Sequence, residues 1–207
     1  MEKWVEELQE ISHYECDKDV VLYGLNGFIS ALVSIGLLVL TSFLNHGLKD
    51  LLVFLPIHMI GVRYTGGYHA KTPLRCQVLT VISYVMVHIL TRFCLLYVDV
   101  KWICLVGEFC VLFIWLMSPV LNVKKPMTYS EIKINRTRAR IFALLMGAML
   151  FASVFAISSK WLAASLLSNL IEISIFMFLG RRLYVYEKAK NGRNDVKNGR
   201  TLCNLES

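Results

Sequence analysis

The chain has 207 residues, 56% of them hydrophobic and 18% charged, with a formal net charge of +7 and a mean hydropathy of +0.55. An average soluble domain carries about 25% charge, whereas here the apolar residues stand in blocks of 12 to 25 separated by short charged loops. That excludes a secreted disulfide mini-protein, a disordered chain and most soluble folds, and leaves an all-α polytopic membrane protein.

Residues 1–19 hold seven acidic residues, only Lys3 and Lys18 as cations, and no apolar run, so they do not read as a signal peptide. Trp4, Val5, Leu8 and Ile11 recur at helical spacing beside Glu6, Glu7 and Glu10. This arm reads either as an amphipathic helix lying on the inner leaflet or as a solvated acidic segment. Apolar blocks follow at 20–44, 51–62, 77–98, 102–121, 141–158 and 161–180, giving about six transmembrane helices. The second block is short and contains Pro56, whereas a crossing usually takes about 20 residues. It reads as a tilted helix extended by its flanks, or as a re-entrant segment. Residues 1–190 form one helical membrane domain in this reading, with 122–140 as a basic loop and 191–207 as a mobile tail.

If every block crosses once, the loops alternate sides. One side then holds 18 of the 22 lysines and arginines, the other only Lys49, Lys101 and Lys160, and Arg92 lies inside a block. Basic loops stay cytoplasmic, so both termini and the loops 63–76 and 122–140 are expected there. The positive charge is thus an orientation signal and not the footprint of a nucleic-acid partner.

The six cysteines do not read as a disulfide framework. Cys94, Cys104 and Cys110 lie in apolar blocks, where free cysteine behaves as a small hydrophobe. Cys16, Cys76 and Cys203 fall on the reducing side. Nothing resembles a metal site or a phosphate-binding loop, so neither a metal nor a cofactor is expected.

Chemistry concentrates in Arg63-Tyr64-Thr65-Gly66-Gly67-Tyr68-His69-Ala70-Lys71-Thr72-Pro73-Leu74-Arg75-Cys76. A thiol nucleophile needs an imidazole within hydrogen-bond reach. His69 and Cys76 are seven apart, which on one straight helix is a rise of about 10 Å, too far for proton transfer, so the chain between them has to bend. Gly66-Gly67 permits a sharp turn, and Thr72-Pro73 has the form of an N-cap followed by proline at the first helical position. Cys76 then falls in the first turn of the third helix, where the helix dipole and Arg75 favour a thiolate. Spacing alone does not single this pair out, because a histidine and a cysteine seven apart recur by chance in many chains.

The string GGYHAKTPLRC, opening an apolar helix in a polytopic chain of about this length, resembles the accessory gene regulator B (AgrB) family. Arg63 upstream, the Gly-rich turn, the His-to-Cys spacing and the later Ser118-Pro119…Lys124-Lys125-Pro126…Glu131 follow the same pattern. The resemblance implies a cysteine endopeptidase of the bacterial cell membrane, with its site on the cytoplasmic side. Such an enzyme cuts the C-terminal tail from a quorum-sensing propeptide, AgrD, and helps to close its thiolactone or lactone ring. Carried over by position, Cys76 is the nucleophile and His69 the general base, supported by Arg63, Gly66, Gly67 and Arg75. Family propeptides end in an acidic tail, which Lys124, Lys125, Arg136, Arg138 and Arg140 are expected to hold unless those cations only set topology. A homodimer is also implied.

Charges inside a bilayer are costly and usually paired or functional. Arg92 and Glu108 fall at similar depth on consecutive antiparallel helices and are expected to form a structural ion pair. His88 and Glu172 lie near mid-membrane and are expected to make packing hydrogen bonds or to line a cavity, while His58 is close enough to the 63–76 segment to support it. The rival reading is a peptide transporter or export partner without proteolytic activity, using Arg92, Glu108 and Glu172 as a polar path.

Overall fold

The computed structural model describes residues 18–66, 73–121 and 127–197, and these form six helices and no strand. They are α1 (Lys18–Leu44), α2 (Leu48–Thr65), α3 (Pro73–Tyr97), α4 (Val100–Met117), α5 (Tyr129–Phe155) and α6 (Lys160–Lys197). Of the amphipathic arm expected over residues 1–19, residues 1–17 lie outside the described residues, and Lys18 and Asp19 open α1. Four stretches are long and apolar enough to cross a membrane: Leu74–Tyr97, Val100–Met117, Tyr129–Phe155 and Lys160–Lys190. The shorter apolar stretch Phe28–Leu44 belongs to α1.

Several boundaries differ from the apolar blocks, each for a local reason. The short second block is the middle of an 18-residue helix that runs through Pro56. Proline removes one helical hydrogen bond, a loss that packed membrane helices tolerate. Helix α4 stops at Met117, four residues before its apolar block ends, with Ser118 extended at φ −81° and ψ 151°. The residue before a proline is disfavoured in the helical region, and Pro119 follows. The basic segment 122–140 is not loop throughout, because α5 begins at Tyr129. The Thr128 N–H donates to Glu131 Oε2 at 2.8 Å, the return arm of a capping box. At the other end of the chain, α6 continues past its apolar block and into the segment read as tail, as far as Lys197.

The chain divides into two compact units, 1–48 with 70–84, and 49–69 with 85–207. In the first, Gln77 on α3 donates through Nε2 to Ser30 Oγ of α1 at 2.6 Å. Tyr84, fully buried, donates through its hydroxyl to the Gly47 carbonyl in the α1–α2 turn at 3.0 Å. In the second unit α4, α5 and α6 pack pairwise around α6, whose residues 163–170 are buried without interruption. That stretch, AASLLSNL, alternates leucine with small and hydroxyl residues, which let helix backbones approach where lipid supplies no hydrophobic drive. Gly61 serves the same end on α2: a Cβ there would come within 2.6 Å of Ile173 Cδ1.

Cys76, Cys94, Cys104 and Cys110 are all free thiols; Cys16 and Cys203 lie outside the described residues. The expected Arg92–Glu108 ion pair does not form among the described residues. Thr91 and Cys94 take the inward face of α3, and Gly107, Cys110 and Val111 that of α4, which turns Arg92 and Glu108 to the exposed surface.

Candidate active site

Helix α2 delivers the chain to the 63–76 segment. Its buried residues Asp50, Phe54, Ile57, Gly61 and Thr65 recur every three or four positions and define one inward stripe. Thr65 closes that stripe fully buried, donating through Oγ1 to the Gly61 carbonyl at 2.9 Å. The next residue, Gly66, has φ +71°, a left-handed conformation natural to glycine. The Val120 N–H then donates to the Thr65 carbonyl at 2.8 Å, strapping the turn onto the segment that follows α4. The fit is close: a Cβ on Gly66 would lie 2.5 Å from the Val120 carbonyl oxygen. Gly66 is therefore required both by its φ and by its neighbour, and the chain leaves α2 from a fixed point.

Gly67 and His69 lie outside the described residues, as do Lys124 and Lys125. The chain is described again from Pro73, which opens α3. Cys76 sits in the first turns of this helix with an exposed thiol, and Arg75 beside it is also exposed. The Cys76 carbonyl accepts from Thr80 Oγ1 at 3.0 Å, so its main chain is already committed to the helix.

The basic residues of α5 divide between two situations. Arg136 is exposed. The Arg138 guanidinium lies 5.5 Å from the ring centroid of Tyr64, next in sequence to Arg63. The Arg140 guanidinium lies 5.2 Å from that of Trp115. Both are cation–π contacts. They join the first turns of α5 to α2 and α4, and among the described residues Arg138 reaches Tyr64 of the 63–76 segment.

Polar groups within the second unit form two further pairs. His58 Nδ1 lies 3.0 Å from Glu172 Oε1, and the imidazole stacks on Phe54 with centroids 4.9 Å apart. His88 Nδ1 lies 2.6 Å from Asp50 Oδ2, while Trp161 Nε1–H donates to Asp50 Oδ1 at 2.8 Å. Both expectations of packing hydrogen bonds, for His88 and for Glu172, are met. Glu172 is bonded to His58 and Arg92 has no bond to Glu108, so the three charges proposed for a polar path do not join. Sequence reasoning missed Asp50, Thr65 and Val120. For the first two a signal existed, since Asp50 and Thr65 fall in register with Phe54, Ile57 and Gly61. Among the described residues no group of three or more His, Cys, Asp or Glu side chains is placed to hold a metal ion.

No curated protein and no solved structure matches the chain. The family model for accessory gene regulator B matches residues 1–179, a span that includes the whole 63–76 segment, the strap at Val120 and most of α6. The chain belongs to the accessory gene regulator B family, membrane proteins that take part in processing the AgrD peptide of quorum sensing.

Proposed function

We propose that this protein is a membrane-embedded cysteine endopeptidase that removes the C-terminal tail of an AgrD-like propeptide and closes a thiolactone or lactone ring through an acyl-enzyme on Cys76. One observation carries the reading: the exposed Cys76 thiol in the opening turns of a long apolar helix, seven residues after His69 in the sequence. The His69 imidazole accepts the thiol proton as Sγ attacks the scissile carbonyl. Collapse of the tetrahedral adduct breaks the C–N bond, and His69 returns the proton to the departing amine of the tail. The remaining peptide is held as a thioester. Attack by an upstream thiol or hydroxyl of the peptide closes the ring and restores the Cys76 thiol. When a thiol attacks, one thioester replaces another, so the exchange needs no ATP.

Water competes with ring closure, and a site at the membrane mouth limits its access. The charge distribution along the chain supports six crossings, with α1 and α2 included, both termini and the reactive loop in the cytoplasm, and residence in the bacterial cell membrane. Helix α2, at 18 residues, is about 27 Å long, close to the hydrocarbon thickness. The protein works as a homodimer. Lys124, Lys125, Arg136, Arg138 and Arg140 hold the acidic tail of the propeptide.

The decisive measurement is mass spectrometry of an AgrD-like peptide incubated with the protein in liposomes. Wild-type protein releases the tail, whereas Cys76→Ala and His69→Ala insert normally and release none. Full cleavage by Cys76→Ala would sink the protease reading, and near-normal turnover by His69→Ala would assign the base to another group.

A further inference from the structure

A groove of about 430 Å³ runs between α4 and α5, lined by Glu108, Val111, Leu144, Gly147, Ala148 and Phe151. Five of these are apolar and one is a carboxylic acid. Gly147 keeps the floor low, since even a Cβ there would lie 3.6 Å from Val111 and 3.7 Å from Glu108 Oε1. Glu108 is exposed and forms no ion pair among the described residues. Counted from Val100, where α4 begins, Glu108 is eight residues along the helix, about 12 Å below its end. At that depth its short side chain cannot reach the interface, and a carboxylate left in hydrocarbon is costly.

The chain carries one cation at a matching level. Of the four lysines and arginines assigned to the side of the α3–α4 turn or to a block, Lys49, Lys101 and Lys160 stand at helix starts, where water is close. Arg92 alone lies inside an apolar block. It is five residues before Tyr97, the end of α3, about 8 Å from that end, and its longer side chain covers the remaining difference in depth. It too is exposed. Within one copy Arg92 and Glu108 do not meet.

We propose that the groove between α4 and α5 receives a second copy of this chain, with Arg92 of each copy paired to Glu108 of the other. The pairing gives a surface to the homodimer put forward above and rests on that reading. A two-fold axis along the membrane normal keeps equivalent residues at equal depth and makes the contact isologous. Each Arg92 and each Glu108 is used once, so two ion pairs form and no charge is left against lipid. A lipid headgroup is a poor occupant because the carboxylate lies well below the headgroup level.

Single-molecule photobleaching of labelled protein, diluted stepwise in phosphatidylcholine vesicles, measures the dimer directly. Wild-type protein is expected to dimerise, and Arg92→Glu and Glu108→Arg each to weaken the dimer about tenfold or more, the scale of close charge pairs across interfaces. The double reversal should restore it, because the pair is rebuilt with its signs exchanged. Should a reversed charge prevent insertion, Arg92→Gln and Glu108→Gln serve in its place, each weakening the dimer. Ala148→Phe fills the groove without altering charge and is also expected to weaken association. A dimeric wild type whose affinity is unchanged by these substitutions, or a double reversal no better than its parents, overturns this interface and leaves the homodimer standing. A monomeric wild type overturns both.

Discussion

The two ends of α2 are held in opposite ways. At its start, Asp50 is 1% exposed and its two oxygens bind His88 of α3 and Trp161 of α6, at 2.6 and 2.8 Å. At its finish, the Thr65 carbonyl accepts a main-chain bond from Val120 at 2.8 Å, and Gly66 turns the chain away. One end is joined to its neighbours through side chains, the other through backbone. The difference suits what each end does. A buried carboxylate with both oxygens satisfied fixes the relation of three helices, because in a low-dielectric interior any slip leaves polar groups unpaired. A loop proposed to carry the reaction needs a fixed point of departure, and a backbone bond supplies one without using the side chain of Arg63.

Removing the side-chain joint should have the larger effect. Asp50→Ala takes away the carboxylate that the His88 imidazole and the Trp161 indole N–H bond inside the helix bundle. The loss is expected to be about 1–3 kcal/mol for each of the two broken bonds, as for buried polar groups that lose a partner. Asp50→Asn keeps one acceptor and nearly the same volume, so it should cost clearly less. Denaturant unfolding in detergent micelles measures both, and an Asp50→Ala protein as stable as wild type would mean that α2 is held elsewhere.

The backbone joint is tested by Gly66→Ala. A side chain in the left-handed region costs about 1–3 kcal/mol, and the added Cβ would press on the Val120 carbonyl at 2.5 Å. The strap must move or the turn must change, and either displaces the start of the His69 loop. Stability should fall less than in Asp50→Ala, while peptide cleavage should fall by more than tenfold, the consequence of a small misplacement at a reacting centre. Cleavage reduced only in proportion to the folded fraction would show that the loop finds its position without the strap.

These two ends also mark how far the sequence could be read. The apolar blocks and the Thr72-Pro73 helix start are local signals, and the helices, α3 opening at Pro73 among them, follow them. Asp50 was hidden by its neighbour Lys49, since a charged pair at the edge of an apolar block reads as loop. Only its register with Phe54, Ile57, Gly61 and Thr65 marks it as inward. The start of α5 was written in Thr128 and Glu131, a capping-box spacing, but the cations of 122–140 drew attention to topology instead. Arg92 and Glu108 were read at similar depth, yet sequence distance says nothing about which face of each helix is turned outward. The strap at Val120 joins segments more than fifty residues apart through backbone atoms, and no side-chain pattern announces such a bond.

The smallest expected effect concerns Arg138, which bears on whether the cations of 122–140 serve the fold or the substrate. Its guanidinium covers Tyr64 at 5.5 Å on an exposed surface, a contact of ~0.5–1 kcal/mol. If this contact steadies the end of α2, Arg138→Gln lowers stability by that amount and turnover slightly, with no dependence on salt. If Arg138 holds the acidic tail of the peptide, the same change raises KM, and wild-type KM rises with ionic strength as charges are screened. The double variant Lys124→Glu with Lys125→Glu calibrates the second case, because a recruiting role predicts weaker capture for it with turnover preserved. KM measured against salt for the three proteins, all in correctly oriented liposomes, separates the roles. A flat salt response with unchanged KM in both variants would remove the three cations from substrate binding and leave Arg138 as a cover for Tyr64. A KM that rises in both, and converges on wild type at high salt, would place the peptide tail along the start of α5, beside the strap that fixes the reactive loop.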